Sequence, residues 1–369
     1  MKYYIIAGEA SGDLHASNLM KNIFLQDKEA DIHFWGGDLM QKEGGTLIKH
    51  YRELSFMGFL EVLLNISTIF KNISFCKENI KEFNPDVIIF IDYSGFNLRI
   101  AKWAKQNGFR TNYYISPQVW ASRAGRVQKI KRDVDAMFVI LPFEKEFYKT
   151  YNYEVTFVGH PLIDAIANRK PLDVAEFCKI HQLSEKPIIA LLPGSRKQEI
   201  TKMLAVMLSM VSKFPKYQFV IAGAPSQNFD FYKPFMNQKN ISFVSNKTYD
   251  LLSISYAALL TSGTATLETA LFKVPQVVCY KGSNISYQIA KRIITIKFIG
   301  LVNLIMDKLV VTELIQNDFN EKQLEKELTL ILEEQKRKQI FEAYYDLETI
   351  LGGEGASAKT ASLIIEKLK

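Results

Sequence analysis

The feature that most restricts how this chain can fold is a pattern it uses twice. Tyr3-Tyr4-Ile5-Ile6-Ala7 reads as a buried strand, followed by Gly8-Glu9-Ala10-Ser11-Gly12-Asp13 and a helical stretch from Leu14 to Leu25. Far downstream, Pro187 to Leu192 is another such strand, followed by Pro193-Gly194-Ser195-Arg196 and a second helix. In that helix Ile200, Met203, Leu204, Met207, Leu208 and Val211 recur at i, i+3, i+4, i+7, i+8 and i+11, an apolar stripe able to cover a sheet. A strand, a tight glycine turn and a helix make the first unit of a doubly wound α/β domain. Two openings predict two Rossmann-like domains, each with an alternating β/α order. Further strands are expected at Asp86–Ile91, Thr111–Ile115, Ala136–Ile140 and Glu154–Val158, then at Gln218–Ala222, Ile241–Val244, Ala257–Thr261 and Gln276–Tyr280. Short apolar runs separated by helices indicate parallel pairing.

The 369 residues exceed what one hydrophobic core holds, since single cores stop growing at roughly 250–300 residues. The join is expected at the turn Gly159-His160-Pro161, giving domains at 1–160 and 161–345. A charged helical stretch runs from Glu321 to Lys338, and Gly352-Gly353-Glu354-Gly355 precedes a final helix from Ala356. The tail 346–369 forms a third segment, and the sequence leaves open whether it packs back on the first domain.

Apolar residues at 48% and charged residues at 23% mark an ordinary globular chain. The net charge of +7 favours an anionic partner. Cys76, Cys178 and Cys279 have neither metal-ligand nor redox spacing and read as three reduced thiols of a cytosolic protein. Glu9 interrupts the first apolar run too early for a secretory signal, and no uncharged stretch approaches the ~20 residues of a transmembrane helix.

Ligands of open α/β sheets bind beyond the carboxyl ends of the strands, so residues there are the candidates for chemistry. The first glycine turn has neither P-loop nor dinucleotide spacing. It is either a plain turn with Asp13 near the helix N-cap, or a set of amides facing a ligand with Glu9 beside them. The second turn says more: Gly194 admits close backbone approach, the helix adds its positive end, and Arg196 offers a forked donor suited to a diphosphate. Ser262-Gly263-Thr264-Ala265-Thr266 sets hydroxyls and a glycine at another helix start, and Glu268 could accept bonds from ribose hydroxyls. Such a stretch also reads as a Ser/Thr-rich cap, but two such turns in one domain favour a nucleotide site. Asp92 ends a very apolar strand, either as a helix cap or as a general base whose pKa desolvation raises.

Other signals are weaker. Asp133-Val134-Asp135 reads as a solvated turn among basic residues rather than a metal motif, and the five histidines show no ligand spacing, so no metal and no cofactor are expected. His160 before Pro161 reads as structural. Arg123, Arg126, Lys129, Lys131 and Arg132 form a basic cluster without a nucleic-acid motif, so no nucleic-acid partner is expected. Met57 to Phe70, with Phe59, Leu60 and Leu63, is apolar enough for a buried core helix or an interfacial one.

These motifs, in this order, resemble the lipid-A-disaccharide synthase family. The resemblance runs from about Tyr3 to the C-terminal tail. It is carried by Gly8–Asp13, Met57-Gly58 with Glu61-Val62-Leu63, Ile91-Asp92, Ser116-Pro117-Gln118-Val119-Trp120-Ala121, Leu141-Pro142-Phe143-Glu144-Lys145, Val158-Gly159-His160-Pro161, Leu192–Arg196 and Ser262–Ala265. It implies a GT-B fold with an active site in the cleft between two Rossmann-like domains. It implies UDP-2,3-diacylglucosamine as donor and 2,3-diacylglucosamine 1-phosphate as acceptor, joined by an inverting β-1,6 transfer that releases UDP. On this resemblance Asp92 is the base, with Glu9 and Arg196 also catalytic. Gly194, Ser195, Arg196, Ser262, Gly263, Thr264, Thr266, Glu268 and Asn303 would bind the UDP-sugar. Ser11, Asp13, Met57, Phe59, Leu60 and Leu63 would contact acceptor or lipid. It further implies a cytoplasmic enzyme at the inner-membrane surface of a Gram-negative-type bacterium, and an oligomer is compatible with it. Gly95 stands where many members have a second aspartate, which leaves the burden on Asp92. The alternatives are another GT-B UDP-sugar transferase or epimerase with a soluble partner, and a non-catalytic nucleotide- or RNA-binding protein.

Overall fold

The computed structural model describes residues 1–54, 66–122, 124–282 and 297–369. The chain divides into two compact units, Met1–Asn168 with Ile350–Lys369, and Arg169–Thr349.

The first unit is built on seven parallel strands in the order β3-β2-β1-β4-β5-β6-β7. They are β1 (Lys2–Ala7), β2 (Asp31–Gly36), β3 (Thr46–His50), β4 (Val87–Ile91), β5 (Thr111–Tyr114), β6 (Ala136–Val139) and β7 (Thr156–Phe157). β4 is Val-Ile-Ile-Phe-Ile with every residue fully buried, because helices cover both faces of a central parallel strand. Each such side chain contributes roughly 1.5–3 kcal/mol of burial free energy. The strand order reverses between β1 and β4, which pair with Ala7 opposite Ile91. Their following loops therefore leave side by side from one edge of the sheet. β2 and β3 carry no clear strand signal in the sequence, because β2 mixes Asp31 and His33 with its apolar residues and β3 is a half-buried outer strand.

The last helix, Ala356–Leu368, belongs to this first unit and packs on helix Ala10–Gln26. Asp164 fastens it, accepting from the Gly355 amide at 2.6 Å and the Ser357 amide at 3.0 Å. The His160 amide donates to the Leu351 carbonyl at 3.0 Å. The imidazole Nδ1 of His160 accepts from the Leu162 amide at 3.2 Å, so this buried histidine caps helix Pro161–Ala167.

The second unit has six parallel strands in the order β10-β9-β8-β11-β12-β13. They are β8 (Ile188–Leu192), β9 (Gln218–Gly223), β10 (Ile241–Ser245), β11 (Ser255–Thr261), β12 (Gln276–Tyr280) and β13 (Glu313–Ile315). Helix Lys197–Leu208 buries Ile200, Met203, Leu204, Met207 and Leu208, the stripe anticipated from spacing. The reversal here lies between β8 and β11. The charged stretch after Glu321 forms two helices, Glu321–Leu332 and Glu334–Ile350, because Glu333 adopts an extended conformation (φ −71°, ψ 135°) between them.

Candidate active site

At the β1/β4 reversal of the first unit, the helix after β1 starts at Ala10, four residues earlier than its apolar spacing suggests. Gly12 explains this, since a Cβ there would lie 3.3 Å from the Ala7 Cβ; glycine lets the helix close directly onto the strand. Glu9 is the exposed N-cap residue and makes no side-chain capping bond, and Ser11 is exposed in the first turn. Asp13, expected at the acceptor, is occupied elsewhere. Its Oδ1 accepts from the amides of Gly37 (2.7 Å) and Met40 (3.1 Å), and its Oδ2 from Leu39 (3.1 Å). This buried carboxylate caps helix Asp38–Glu43 and has a structural task.

Asp92 follows β4 directly and is half-buried. Burial, and next the negative charge of Glu9, push its carboxyl up to about 6 from the ordinary 3.8; a backbone hydrogen bond from Tyr93 opposes them. A carboxylate of that basicity is largely ionised at neutral pH yet can accept a proton, as a general base must. The Tyr93 ring lies over Gly8, where any Cβ would stand 2.2 Å from it. Gly8 is therefore required for close approach between the two turns. Gly95 is exposed with open space around it, so no second carboxylate stands beside Asp92 at that place.

One buried carboxyl nearby was not assigned a role from sequence. Glu144 is almost wholly buried, and its Oε2 accepts from the amides of Leu141 (2.9 Å) and Ile140 (3.3 Å). Burial pushes it up to about 7 against those amides and the side chains of Ser116 and Trp120. It thus ties the two residues that follow β6 to the start of helix Pro142–Lys149. The legible signal was a glutamate at the third position of a helix that begins with proline, the place of a capping box.

In the second unit β8 and β11 pair with Leu192 opposite Leu260, which sets their two following turns side by side. Gly194 has φ +106°, a left-handed geometry that favours glycine, and a Cβ there would come within 3.3 Å of Thr261. Ser195 is exposed. Arg196 is the N-cap residue of helix Lys197–Leu208, its side chain 81% exposed and paired with Glu199 at 3.0 Å. Gly263, at φ +130°, is the N-cap residue of helix Thr264–Leu271 and has open space around it, with Ser262 half-buried and Thr264 exposed. The helix makes no side-chain capping bond there, so its first amides are available for an anion. Glu268 accepts from the Tyr249 hydroxyl at 2.8 Å, and burial raises its pKa.

Two residues expected to bind nucleotide are instead enclosed. Thr266 is fully buried; its hydroxyl donates to the Gly263 carbonyl (2.8 Å) and accepts from the Leu301 amide (3.0 Å). Asn303 is also fully buried. Its Nδ2 donates to the Val311 carbonyl and to Glu313 Oε1, each at 2.8 Å, and its Oδ1 accepts from the amides of Val310 (2.8 Å) and Val311 (2.9 Å). An amide side chain has two donor hydrogens and two acceptor lone pairs, and here all four are used. Asn303 organises the approach to β13 and has no group left for a ligand.

Asp133 is not a solvated turn either. It is buried and gripped by both Arg132 Nε (2.7 Å) and Nη2 (2.6 Å), while Asp135 pairs with Lys105 and accepts from Thr111. Met57, Phe59, Leu60 and Leu63 lie outside the described residues. Among the described residues no group of three or more His, Cys, Asp or Glu could hold a metal ion, and no helix is long and apolar enough to cross a membrane.

Each unit thus has a strand-order reversal with polar residues at the carboxyl ends of its central strands. A family model described as lipid-A-disaccharide synthetase matches residues 3–367. The chain belongs to the lipid-A-disaccharide synthase family. It is 39% identical over 319 residues to the lipid-A-disaccharide synthase of Coxiella burnetii (strain Dugway 5J108-111), covering 85% of this chain and 84% of that protein. It is 37% identical over 374 residues to that of Syntrophus aciditrophicus, covering 99% and 97%. As a member of the lipid-A-disaccharide synthase family the chain is a glycosyltransferase of lipid A synthesis, acting on lipid A precursor sugars. Among solved structures it is similar to UDP-GlcNAc 2-epimerase from Neisseria meningitidis bound to UDP-GlcNAc, with a TM-score of 0.69 at 13% identity over 100% of this chain and 99% of that one. It is similar also to the S. aureus MnaA-UDP co-structure, with a TM-score of 0.71 at 12% identity over 99% and 96%. At such identity these likenesses show the fold, two Rossmann-like domains of the GT-B type.

Proposed function

We propose that the enzyme joins UDP-2,3-diacylglucosamine to 2,3-diacylglucosamine 1-phosphate. Asp92 takes the proton from the acceptor 6-hydroxyl, and the oxygen attacks the anomeric carbon of the donor as the bond to UDP breaks. One displacement inverts that carbon and gives the β-1,6 disaccharide 1-phosphate. Glu9 keeps Asp92 basic through its charge, which is the second cause of the raised pKa. In the other unit Arg196, the turn at Gly194–Ser195 and the start of helix Thr264–Leu271 take up the charge that develops on the departing diphosphate. Ser262 and Thr264 add hydroxyl donors, and the free oxygen of Glu268 accepts from the ribose. In this reading Arg196 and the two helix starts neutralise the pyrophosphate without a metal ion.

The observation that carries this reading is the placement of Asp92: a half-buried carboxyl of raised basicity, at the end of the central strand, in a chain of this family. We assign the apolar 57–70 segment and the exposed Lys129 and Lys131 to contact with an anionic membrane surface, on which the enzyme would act peripherally. The test is incubation with both acylated sugars in the presence of EDTA, following UDP and disaccharide. Disaccharide and UDP formed in equal amounts support the reading. UDP released without disaccharide, or turnover abolished by the chelator, refutes it.

A further inference from the structure

The turn that carries Asp92 is held in a conformation its residues do not favour. Asp92 has φ 45°, and Tyr93 has φ 45° and ψ 48°, two consecutive non-glycine residues in the left-handed region. Side chains other than glycine visit that region as single residues, because Cβ crowds the following carbonyl. Strain of this kind persists only where the surroundings over-determine it.

Two fully buried side chains do so. Asn97, in the first turn of helix Ser94–Gln106, donates its Nδ2 to the Asp92 carbonyl at 2.9 Å. The same nitrogen lies 3.3 Å from the Ile91 carbonyl and 3.4 Å from the Ile6 carbonyl, so it pins the ends of both central strands to the strained residue. Tyr113, reaching over from β5, donates its hydroxyl to the same Asp92 carbonyl. The Asn97 amide then bonds the Tyr93 carbonyl at 3.1 Å, and the Tyr93 ring is seated on Gly8. The grip falls on the Asp92 carbonyl and not on its carboxylate, so it fixes direction without consuming the basic oxygens.

We propose that Asn97 and Tyr113 are positioning residues for the transfer reaction, converging on the Asp92 carbonyl to hold its carboxylate where it takes the acceptor proton. This rests on Asp92 being the base. Released from the two bonds, Asp92 would relax toward ordinary extended backbone and its carboxylate would turn with it. The titratable groups acting on this cluster are Glu9, Tyr93, Arg99, Tyr113 and Tyr148. Neither Tyr113→Phe nor Asn97→Ser alters a charge among them at neutral pH, so a changed profile reports geometry.

Both variants are to be measured for kcat, for KM with each acylated sugar, for UDP affinity and for the pH profile, beside Asp92→Asn. The expected result is kcat lowered about tenfold or more, as small misplacements of reacting groups cause, with KM within about twofold and UDP affinity unchanged. The acid limb should also move down toward the ordinary carboxylate range as Asp92 turns to water. Tyr113→Phe keeps the ring in the core and decides the matter if Asn97→Ser does not fold. Wild-type kcat and limb in Tyr113→Phe, with only a lowered melting temperature, overturn the positioning role while an inactive Asp92→Asn leaves the base in place. Near-normal turnover of Asp92→Asn removes the base, and the positioning role with it.

Discussion

The raised basicity of Asp92 has a direct kinetic consequence. The perturbation is pH alone, between 7 and 5, read on kcat/KM because that ratio reports groups of the free enzyme. With the carboxyl at about 6, roughly 0.9 of the molecules carry it ionised at pH 7 and roughly 0.1 at pH 5, a fall of about tenfold or ~1.4 kcal/mol in effective barrier. A carboxyl at the ordinary 3.8 would remain over nine-tenths ionised at pH 5 and give almost no fall. Unfolding does not mimic the effect through this group. Its folded pKa exceeds its unfolded one, so its contribution to stability is fully present below about 3.8 and is lost as pH rises through about 6. Acid therefore removes activity while this residue favours the fold. The assay is disaccharide formation at low substrate from pH 4.5 to 8, with circular dichroism at each pH. Glu9→Gln removes the second cause of the shift and should move the limb downward, leaving it above the ordinary carboxylate value because burial remains. A flat profile from pH 7 to 5 in folded enzyme, or an upward move in Glu9→Gln, would refute the reasoning.

Asn303→Ala should lose about 3 kcal/mol or more of stability, since it leaves the amides of Val310 and Val311 and the Val311 carbonyl unpaired. An unchanged urea midpoint would show that the four bonds do not hold this region. Arg196→Ala should leave the melting temperature alone, because its exposed pair with Glu199 contributes ~0–1 kcal/mol at most. The same variant should weaken UDP about tenfold or more in calorimetry, the value of a charge-assisted bond. Unaltered UDP affinity would count against its place at the diphosphate.

The residues that could be read from the sequence are those whose constraint is local. Gly8, Gly12 and Gly194 stand where the backbone turns through a left-handed φ or closes on a neighbour, so a Cβ there would be strained or crowded. Asp92 was legible because a carboxylate after five fully buried apolar residues has few ordinary explanations. Ser262 and Gly263 were legible as hydroxyl and glycine at a helix start. Asp13, Thr266 and Asn303 come from segments that look the same, yet their side chains turn inward.

Periodicity and turn chemistry are properties of neighbouring residues, so the sequence by itself determined two parallel-sheet domains, the paired glycine turns and the candidate base. Whether a polar side chain faces a ligand or a buried amide depends on what lies across from it. For Asp13 that is the backbone of Gly37 to Met40 and for Thr266 the Leu301 amide; the main-chain carbonyl of Asp92 likewise meets the side-chain amide of Asn97 and the hydroxyl of Tyr113. Only the tertiary structure decided those partnerships, because each is a hydrogen bond made through space between segments that packing brings together.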